Sequence, residues 1–430
     1  MGRIGVFGGT FNPPHIGHMA AAAQAKAALN LDRLLLVPDN IAPHKELPQG
    51  SADPWQRLEM VRLCALGVPG AECCDLELRR EGKSYTVDTL RQVHQMYPSE
   101  QLVLLMGSDM FLSLHHWREP EEIFRLASIG VLCRGEKGEK AAIAQQMEKL
   151  SLQGADVTLV DNKVTTISST DLRRLLAFRC AGPFLPAGVG EYIQKNGLYG
   201  TDKNLKNLSM EQLEQTVLPL MNPNRVRHVL GCRDTCVELA KRWGADETHA
   251  ARAGLLHDIT KALDGPLQLT LCREYGMILD DFSREYPKTL HALTGSLVAE
   301  RIFGEEPQVV QAICRHTTGC ADMTTLDKIV YVADYMEPNR AFPGVQELRK
   351  YAFEDLDKAL LLGLTMTLDM LKQQNRVVSP GSAAAMQWLA RRGVTLYGKD
   401  KYYVEREGRG NHCHQGPGQQ EGPEHQAAED

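Results

Sequence analysis

The sequence is short of the features that mark specialised chains. No uncharged apolar run approaches the roughly 20 residues a bilayer-spanning helix needs, so no membrane span is expected. Neither sign of charge prevails: 48 lysines and arginines meet 54 aspartates and glutamates, for a net charge of −6. A pI near 6.2 advertises no basic face for DNA, RNA or anionic lipid, though it leaves room for local basic pockets. Among eleven cysteines no two form a C-x-x-C pair, which removes zinc ribbons and thioredoxin-like motifs. Their odd number and scatter fit reduced thiols in a reducing compartment. The first residues enter a strand-like run without a signal-peptide pattern, so a cytoplasmic protein is expected. Glycine (37) and proline (21) sit at ordinary levels, and no internal repeat is visible. What remains is a globular composition, 43% hydrophobic and 24% charged.

A length of 430 residues implies two or three domains at about 100–200 residues each. Up to residue 200, short apolar runs (Ile4–Phe7, Leu34–Pro38, Leu102–Met106, Ile129–Leu132, Val157–Val160) alternate with helical patterns at Ala20–Leu29, Trp55–Leu66, Thr86–Met96 and Ala141–Leu150. That alternation predicts an α/β domain with a parallel sheet covered on both faces. Polar residues from Gly197 to Ser209 mark a boundary, with a linker at 201–210. Helical patterns then follow at Glu211–Leu220, Arg225–Trp243, Thr248–Leu263, Leu290–Phe303, Pro307–His316, Thr325–Tyr335, Val345–Leu371 and Ala383–Arg391, predicting an all-α domain over 211–404. Glu405–Asp430 lacks aromatics and reads as a disordered tail, so His412-Cys413-His414 is given no metal role.

The first strand runs into Gly8-Gly9-Thr10-Phe11-Asn12-Pro13-Pro14-His15-Ile16-Gly17-His18 and then an Ala-rich helix. Ligands bind outside the carboxyl ends of strands in such sheets. The glycines permit close backbone approach, and a helix beginning near Pro14 aims its free N–H groups and positive dipole end at a phosphate. His15 and His18, at i and i+3, are expected on one helical face, donating hydrogen bonds to developing negative charge. The string is neither a Walker A loop nor a dinucleotide G-x-G-x-x-G fingerprint. Other strand ends supply Lys45, a mobile cation; Asp109, an acid for a ribose or magnesium; and Ile167-Ser168-Ser169-Thr170-Asp171-Leu172-Arg173, another hydroxyl-rich helix start. The charge run Arg134–Lys140 reads as a solvated loop, Arg134 itself excepted.

Gly8–His18 with Ile167–Arg173 resembles the nucleotidylyltransferase superfamily, with its H-x-G-H and I-S-S-T-x-x-R signatures and its Rossmann-like fold. The resemblance is closer to bacterial nicotinate-nucleotide adenylyltransferases, through Pro43-His44-Lys45, Ser84–Leu90, Gly107-Ser108-Asp109, His116-Trp117 and Pro186–Tyr199. It implies that Gly8, Gly9, Thr10, Phe11, His15, His18, Ser168, Ser169, Thr170 and Arg173 bind ATP, with His15, His18 and Arg173 catalytic. It also implies that Lys45, Thr86, Asp109, Trp117 and Arg134 hold nicotinate mononucleotide, Trp117 by stacking, with His115-His116 at the rim. The implied reaction is in-line phosphate attack on the α-phosphorus of ATP, assisted by Mg²⁺, with no general base. Leu172, where the family more often has isoleucine, is a conservative departure.

In the helical half, His257-Asp258 is accompanied by His228, His291, His316 and Asp334 on successive helices. Mixed imidazole and carboxylate ligands suit Mn, Fe, Co or Zn better than Ca or Mg. Lys261 lies one turn beyond His257, placed to neutralise phosphate, with Arg340 and Arg349 as further cations. The order, with Arg315–Gly319 and Ala333–Arg340, resembles HD-domain phosphohydrolases that split diadenosine tetraphosphate symmetrically into two ADP. That resemblance runs from about Leu218 to Tyr397. It implies one metal on His228, His257, Asp258 and Asp334, and a second on His291 and His316 with Asp258 bridging. Iron is implied, with manganese or cobalt as alternatives, and Lys261 is catalytic. Two alternatives stay open: another adenylyl acceptor such as phosphopantetheine, and an HD domain that senses nucleotides without hydrolysing them. No nucleic-acid polymer is expected as a partner; self-association is compatible with the sequence.

Overall fold

The structure, a computed structural model, describes residues 2–43 and 45–396. His44 and everything from Tyr397 onward, including Cys413 and the expected tail, lie outside the described residues.

Six strands, β1 (Arg3–Gly9), β2 (Arg33–Pro38), β3 (Ala71–Cys73), β4 (Gln101–Gly107), β5 (Ala127–Leu132) and β6 (Val157–Val160), pair in the order β3-β2-β1-β4-β5-β6. Every pairing is parallel, so the carboxyl ends of all strands meet at one edge. Between them run α1 (Ile16–Ala28), α2 (Pro54–Ala65), α3 (Thr86–Met96), α4 (Ser108–Ser113), α5 (Pro120–Leu126) and α6 (Glu139–Ser151). Strand side chains alternate between two cores, as a period of two requires. Leu35, Val37, Leu102, Leu104 and Met106 pack with Leu90 of α3 and Ile143 of α6 on one face. Leu34, Leu36, Val103 and Leu105 pack with Ala22 and Ala25 of α1 and Val61 of α2 on the other. The five expected strands are present. β3 was not foreseen, because three residues at a sheet edge leave no periodicity to detect.

Two helices, α7 (Ser169–Ala177) and α8 (Val189–Lys195), complete the α/β half. The rest is helical: α9 (Met210–Val217), α10 (Val226–Trp243), α11 (Glu247–Leu256), α12 (Gly265–Glu274), α13 (Asp281–Glu285), α14 (Leu290–Val298), α15 (Pro307–Arg315), α16 (Thr325–Met336), α17 (Val345–Glu354), α18 (Leu356–Gln373) and α19 (Pro380–Arg391). The expected fold class, α/β followed by all-α, holds. Two expected helices do not. The segment Val345–Leu371 is broken at Asp355, which leaves helical geometry (φ −156°, ψ 98°) and caps α18 by accepting the amide of Lys358. The segment Thr248–Leu263 stops at Leu256: the His257 ring hydrogen-bonds to the Gly254 carbonyl (2.8 Å), the acceptor a continuing helix would reserve for the next amide. Tight turns follow, with Ile259 donating to the carbonyl of Leu256 and Lys261 to that of Asp258. His257 and Asp258 therefore stand on a bend. Among the described residues no helix is long and apolar enough to cross a membrane.

The two halves share one hydrophobic cluster, which runs from Leu172, Leu175 and Leu176 of α7 through Leu213 of α9 into Val229, Leu255 and Ile329. Polar contacts cross the same seam: Tyr275 Oη donates to the Phe178 carbonyl (2.6 Å) and Arg174 Nε to that of Leu220 (2.7 Å). The polar stretch from Gly197 to Ser209 is itself anchored, since Arg179 donates to the Lys203 carbonyl and Arg252 to that of Leu208. Tyr275→Phe leaves the packing and removes one buried hydrogen bond, so it should cost about 1–2 kcal/mol in a urea titration. An unchanged midpoint would show that the seam does not depend on it.

Candidate active sites

At the sheet edge, the chain leaves β1 at Gly9 and turns through a buried Phe11 (φ 49°) that packs edge-on to His18 at 5.2 Å between ring centroids. His15 is not on the helix with His18, as expected from their spacing, but caps it from outside in extended geometry (φ −144°, ψ 167°); α1 begins at Ile16. Its Nδ1 accepts the His18 amide (3.3 Å), and the His15 amide donates to Nδ1 of His18 (3.2 Å). The rings lie 3.6 Å apart. A Cβ at position 17 would meet His15 Nδ1 at 3.0 Å and the Ile167 side chain at 3.3 Å, so glycine lets the cap and the second motif approach. Because both Nδ1 atoms accept, each neutral ring carries its hydrogen on Nε2. Burial, then His18 and Arg134, push His15 down to about 2; burial, then Arg134, push His18 down to about 3.

The second motif reaches the first directly. Arg173 Nη1 donates to the Asn12 carbonyl (2.6 Å) and Ser169 Oγ to the Pro13 carbonyl (2.9 Å), while Arg173 Nη2 donates to Thr170 Oγ1 (3.0 Å). Ser168 caps α7 by accepting the Asp171 amide. Tyr199 Oη donates to Asn12 Oδ1 (2.9 Å), so the end of the α/β half also braces this loop. On the neighbouring strand ends, Arg134 pairs with Asp109 (3.0 Å). Lys45 is exposed on the loop after β2. Thr86 opens α3, and Trp117 Nε1 donates to Ser113 Oγ (3.3 Å). The two stand on adjoining segments, because Arg118 lies over the Tyr85 ring (4.8 Å) and beside Asp88 (3.6 Å). The His115 ring is hydrogen-bonded to Gln146 of α6.

Two charged residues organise this edge without any motif to announce them. Arg57 of α2, with its side chain wholly buried, donates to the Thr10 carbonyl, to Asp39 Oδ1 and to the Asp39 and Asn40 carbonyls. Thr10 Oγ1 donates to Asp39 Oδ2 (2.8 Å), which closes the clamp between the loops after β1 and β2. Glu139 corrects the expectation of a solvated loop over Arg134–Lys140. Its buried carboxylate accepts the amides of Arg134 (2.7 Å), Gly135 (2.8 Å) and Glu136 (3.3 Å) and the hydroxyl of Ser108, joining the ends of β5 and β4. A periodicity pattern cannot reveal either role, because each depends on backbone groups distant in sequence or on a turn.

In the helical half, the six expected ligands converge. Asp258 faces two pairs of imidazoles: Oδ2 lies 3.5 Å from His257 Nε2 and 3.8 Å from His228 Nε2, and Oδ1 lies 3.5 Å from His291 Nε2 and 3.7 Å from His316 Nε2. Asp334 Oδ1 is 3.1 Å from His228 Nε2 and 3.9 Å from His257 Nε2. Two groups are tight enough for one ion each, His228–His257–Asp334 and His257–Asp258–His316. His291 Nε2 stands beside Lys261 Nζ (2.9 Å) and Thr317 Oγ1 (2.9 Å). Burial opposes ionisation of Asp258 and Asp334, yet the surrounding imidazoles and cations hold both well below the usual carboxylate range. Burial lowers Lys261 in spite of those carboxylates. Arg225 pairs with Asp258, and Arg340 with Asp334 (2.7 Å). Arg349 instead donates to the carbonyls of Met336, Glu337 and Arg340, so it braces the turn after α16.

A divalent metal fits these residues. His228 and His257 each bury an Nε2 atom without a well-formed hydrogen bond, facing instead carboxylate oxygens of Asp334 (3.1 Å) and Asp258 (3.5 Å), a crowding of acceptors that a cation would relieve. The histidines are oriented for it. His257, His291 and His316 direct Nδ1 to carbonyls three residues back (Gly254, Lys288 and Ile313, at 2.8, 2.9 and 2.7 Å). His228 directs Nδ1 to Glu337 (3.2 Å).

Fold and sites define the class first: a parallel α/β nucleotide-type domain joined to a helical metal-ligand cluster. The cytidylyltransferase-like family matches residues 6–175, and the HD domain family matches residues 225–339. A protein named probable nicotinate-nucleotide adenylyltransferase from Shewanella sp. (strain MR-7) is 38% identical over 213 residues, which are 99% of its length and 46% of this chain. One of the same name from Exiguobacterium sibiricum is 36% identical over 200 residues, 100% of its length and again 46% of this chain. Through its N-terminal half, the chain belongs to the nicotinate-nucleotide adenylyltransferase family. A solved structure described as a predicted HD superfamily hydrolase involved in NAD metabolism, from Clostridium acetobutylicum, is 36% identical. It covers 43% of this chain and 98% of its own, with a TM-score of 0.42.

The depressed histidines set a pH dependence. Folded, His15 and His18 hold pKa values of about 2 and about 3 against an ordinary 6.5, so below 6.5 the unfolded chain binds protons that the folded chain refuses. Their contribution to stability is complete above pH 6.5 and is lost as pH falls from there towards 3. His18→Asn, which keeps an acceptor near Nδ1, should lose less melting temperature than the parent between pH 7 and pH 5. Parallel curves would contradict the assignment.

Proposed function

We propose that the chain is bifunctional, with two catalytic units divided at residues 201–210. Residues 1–200 transfer adenylate from ATP to nicotinate mononucleotide, giving nicotinate adenine dinucleotide and pyrophosphate. Residues 211–404 hydrolyse diadenosine tetraphosphate symmetrically to two ADP.

The observation that carries the first reading is the direct junction of the two motifs through Arg173 and Asn12, in a chain whose N-terminal half aligns with nearly the full length of relatives bearing that name. A phosphate oxygen of the mononucleotide attacks the α-phosphorus of ATP in line. The bond from that phosphorus to the oxygen bridging the β-phosphate breaks, and pyrophosphate leaves with the electron pair. The attacking oxygen is already anionic, so no base is needed. His15 and His18, neutral with hydrogen on Nε2, donate to charge on the triphosphate, while Thr170, Arg173 and the amino end of α7 neutralise and orient it. Gly8, Gly9 and Thr10 give the nucleotide close backbone approach, with Phe11 beneath and Ser168 and Ser169 beside it. Lys45, Asp109 and Arg134 flank the mononucleotide phosphate and ribose, and Thr86 and Trp117 form the wall for its ring. Mg²⁺ bound with the triphosphate would neutralise part of its charge; Asp109, the acid at this edge, is paired with Arg134.

The buried Nε2 atoms of His228 and His257, turned towards the carboxylates of Asp334 and Asp258, carry the second reading. His228, His257, Asp258 and Asp334 would hold one ion, with Asp258, His291 and His316 available to a second; iron is favoured over manganese or cobalt. When bound, such ions bring the pKa of a bound water towards neutrality and screen phosphate charge. The chain's own share is to aim four imidazoles at Asp258, to exclude bulk water from that carboxylate, and to bring Lys261, Arg225 and Arg340 to the polyphosphate.

Substitutions separate the units. His18→Ala should lower adenylyl transfer about 10²-fold or more and leave release of ADP from diadenosine tetraphosphate unchanged. Asp258→Ala should abolish that release and the bound metal while sparing adenylyl transfer. A joint loss in either variant would overturn the partition. If the metal-replete parent binds diadenosine tetraphosphate without releasing ADP, the helical half is a sensor.

A further inference from the structure

His228 differs from the other imidazoles of its cluster. They direct Nδ1 to carbonyls of their own helical turns, whereas His228 directs it to Oε1 of Glu337, 109 residues away in sequence. That carboxylate is buried, with its side chain 1% exposed. Its second oxygen, Oε2, is also committed: it accepts the Asn339 amide (2.8 Å) and the Asn339 side-chain Nδ2 (2.8 Å). Asn339 Nδ2 lies in turn 3.2 Å from the Arg227 carbonyl, tying the turn after α16 to α10. Position 231, one turn past His228, is glycine, and a Cβ there would clash with Glu337 Oε2. Helix α10 therefore gives up helix propensity in its second turn where a carboxylate must approach.

We propose that Glu337 is a positioning residue that fixes which nitrogen of His228 is offered to the metal. A carboxylate only accepts, so Glu337 holds a hydrogen on Nδ1 and leaves Nε2, 3.1 Å from Asp334 Oδ1, as the nitrogen a metal would take in company with that carboxylate. This inference rests on the metal-site reading above and adds a residue to it. It makes an unusual claim about Glu337→Gln. The glutamine amide has one oxygen, and Asn339 supplies two donors to one side of it against one from His228 on the other. The oxygen turns to Asn339, and the amide NH₂ faces His228. His228 must then accept at Nδ1 and move its hydrogen to Nε2, which blocks the atom a metal would use. The nearly isosteric variant thus damages the site through the tautomer, with the fold kept.

The test uses the full chain and Co²⁺ alone as probe, titrated by its visible absorption bands. The parent should bind Co²⁺, and E337Q should bind at least about tenfold more weakly with an unchanged circular dichroism spectrum. Gly231→Ala, which alters neither a ligand nor Glu337 itself, should weaken Co²⁺ in the same direction by displacing the Glu337 carboxylate. A metal-free readout stands beside these. In ¹⁵N spectra of the imidazoles, His228 should carry its hydrogen on Nδ1 in the parent and on Nε2 in E337Q. If the parent binds Co²⁺ and E337Q binds it equally well, or the His228 tautomer is unmoved, the positioning role is overturned and the metal reading survives. If the parent takes up no Co²⁺, the metal reading fails and the inference with it.

Discussion

Which ring nitrogen of each histidine is committed to the protein decides what both sites can attract. At the sheet edge, Nδ1 of His15 and of His18 accepts a backbone amide, so Nε2 is left as a donor and the pair suits an anion. In the helical half, Nδ1 of His257, His291 and His316 faces a carbonyl and that of His228 a carboxylate. There Nε2 is left as a lone pair, and the cluster suits a cation. The same side chain is thus set to opposite polarity by one hydrogen bond of modest net worth. Burial lowers His15, His18 and His291, the last to about 3 with Lys261 beside it, whereas Cys232 and Asp258 raise His257 well above its ordinary value in spite of its burial.

Around these rings the scaffold spends buried charge to hold loops. Removing one partner of a buried pair such as Arg57–Asp39 typically costs several kcal/mol, because the survivor is stranded without solvent. Arg57 spreads its donors over Thr10, Asp39 and Asn40. Glu139 does the complementary work with acceptors at the ends of β4 and β5. Strand ends in a parallel sheet converge on one edge but bring loops of different length. These two charges tie those loops to one another at the edge.

Much of this was legible in the sequence, for a physical reason. Residues of a candidate site that cluster within one short loop, Gly8–His18 or Ile167–Arg173, leave a local signature, and the buried strands leave apolar runs. The roles of Arg57, Glu139 and Glu337 were not legible. Each is a charged residue on a helix or turn, and only the backbone groups that fold around it distinguish it from a solvated one. The bend at His257 was hidden likewise, because the side chain that ends the helix also belongs to the candidate metal cluster. The spacing of His15 and His18 was real but misread: it belongs to a reciprocal cap, not to a shared helical face.

Helix α7 points its polar start at the nucleotide edge and sinks Leu172, Leu175 and Leu176 into a core that continues through the helical half. The chain just after it offers the Phe178 carbonyl to Tyr275, which lies 97 residues further on. On a ribosome moving at roughly 5–20 residues per second, Phe178 emerges some 5–20 seconds before that partner exists. By then the residues of the sheet and of the histidine cap have been made, whereas part of the core around Leu172, Leu175 and Leu176 is supplied only by the helical half. Synthesis therefore gives the two halves an order: the second motif is made early, and its packing is finished late by the arrival of the helical half.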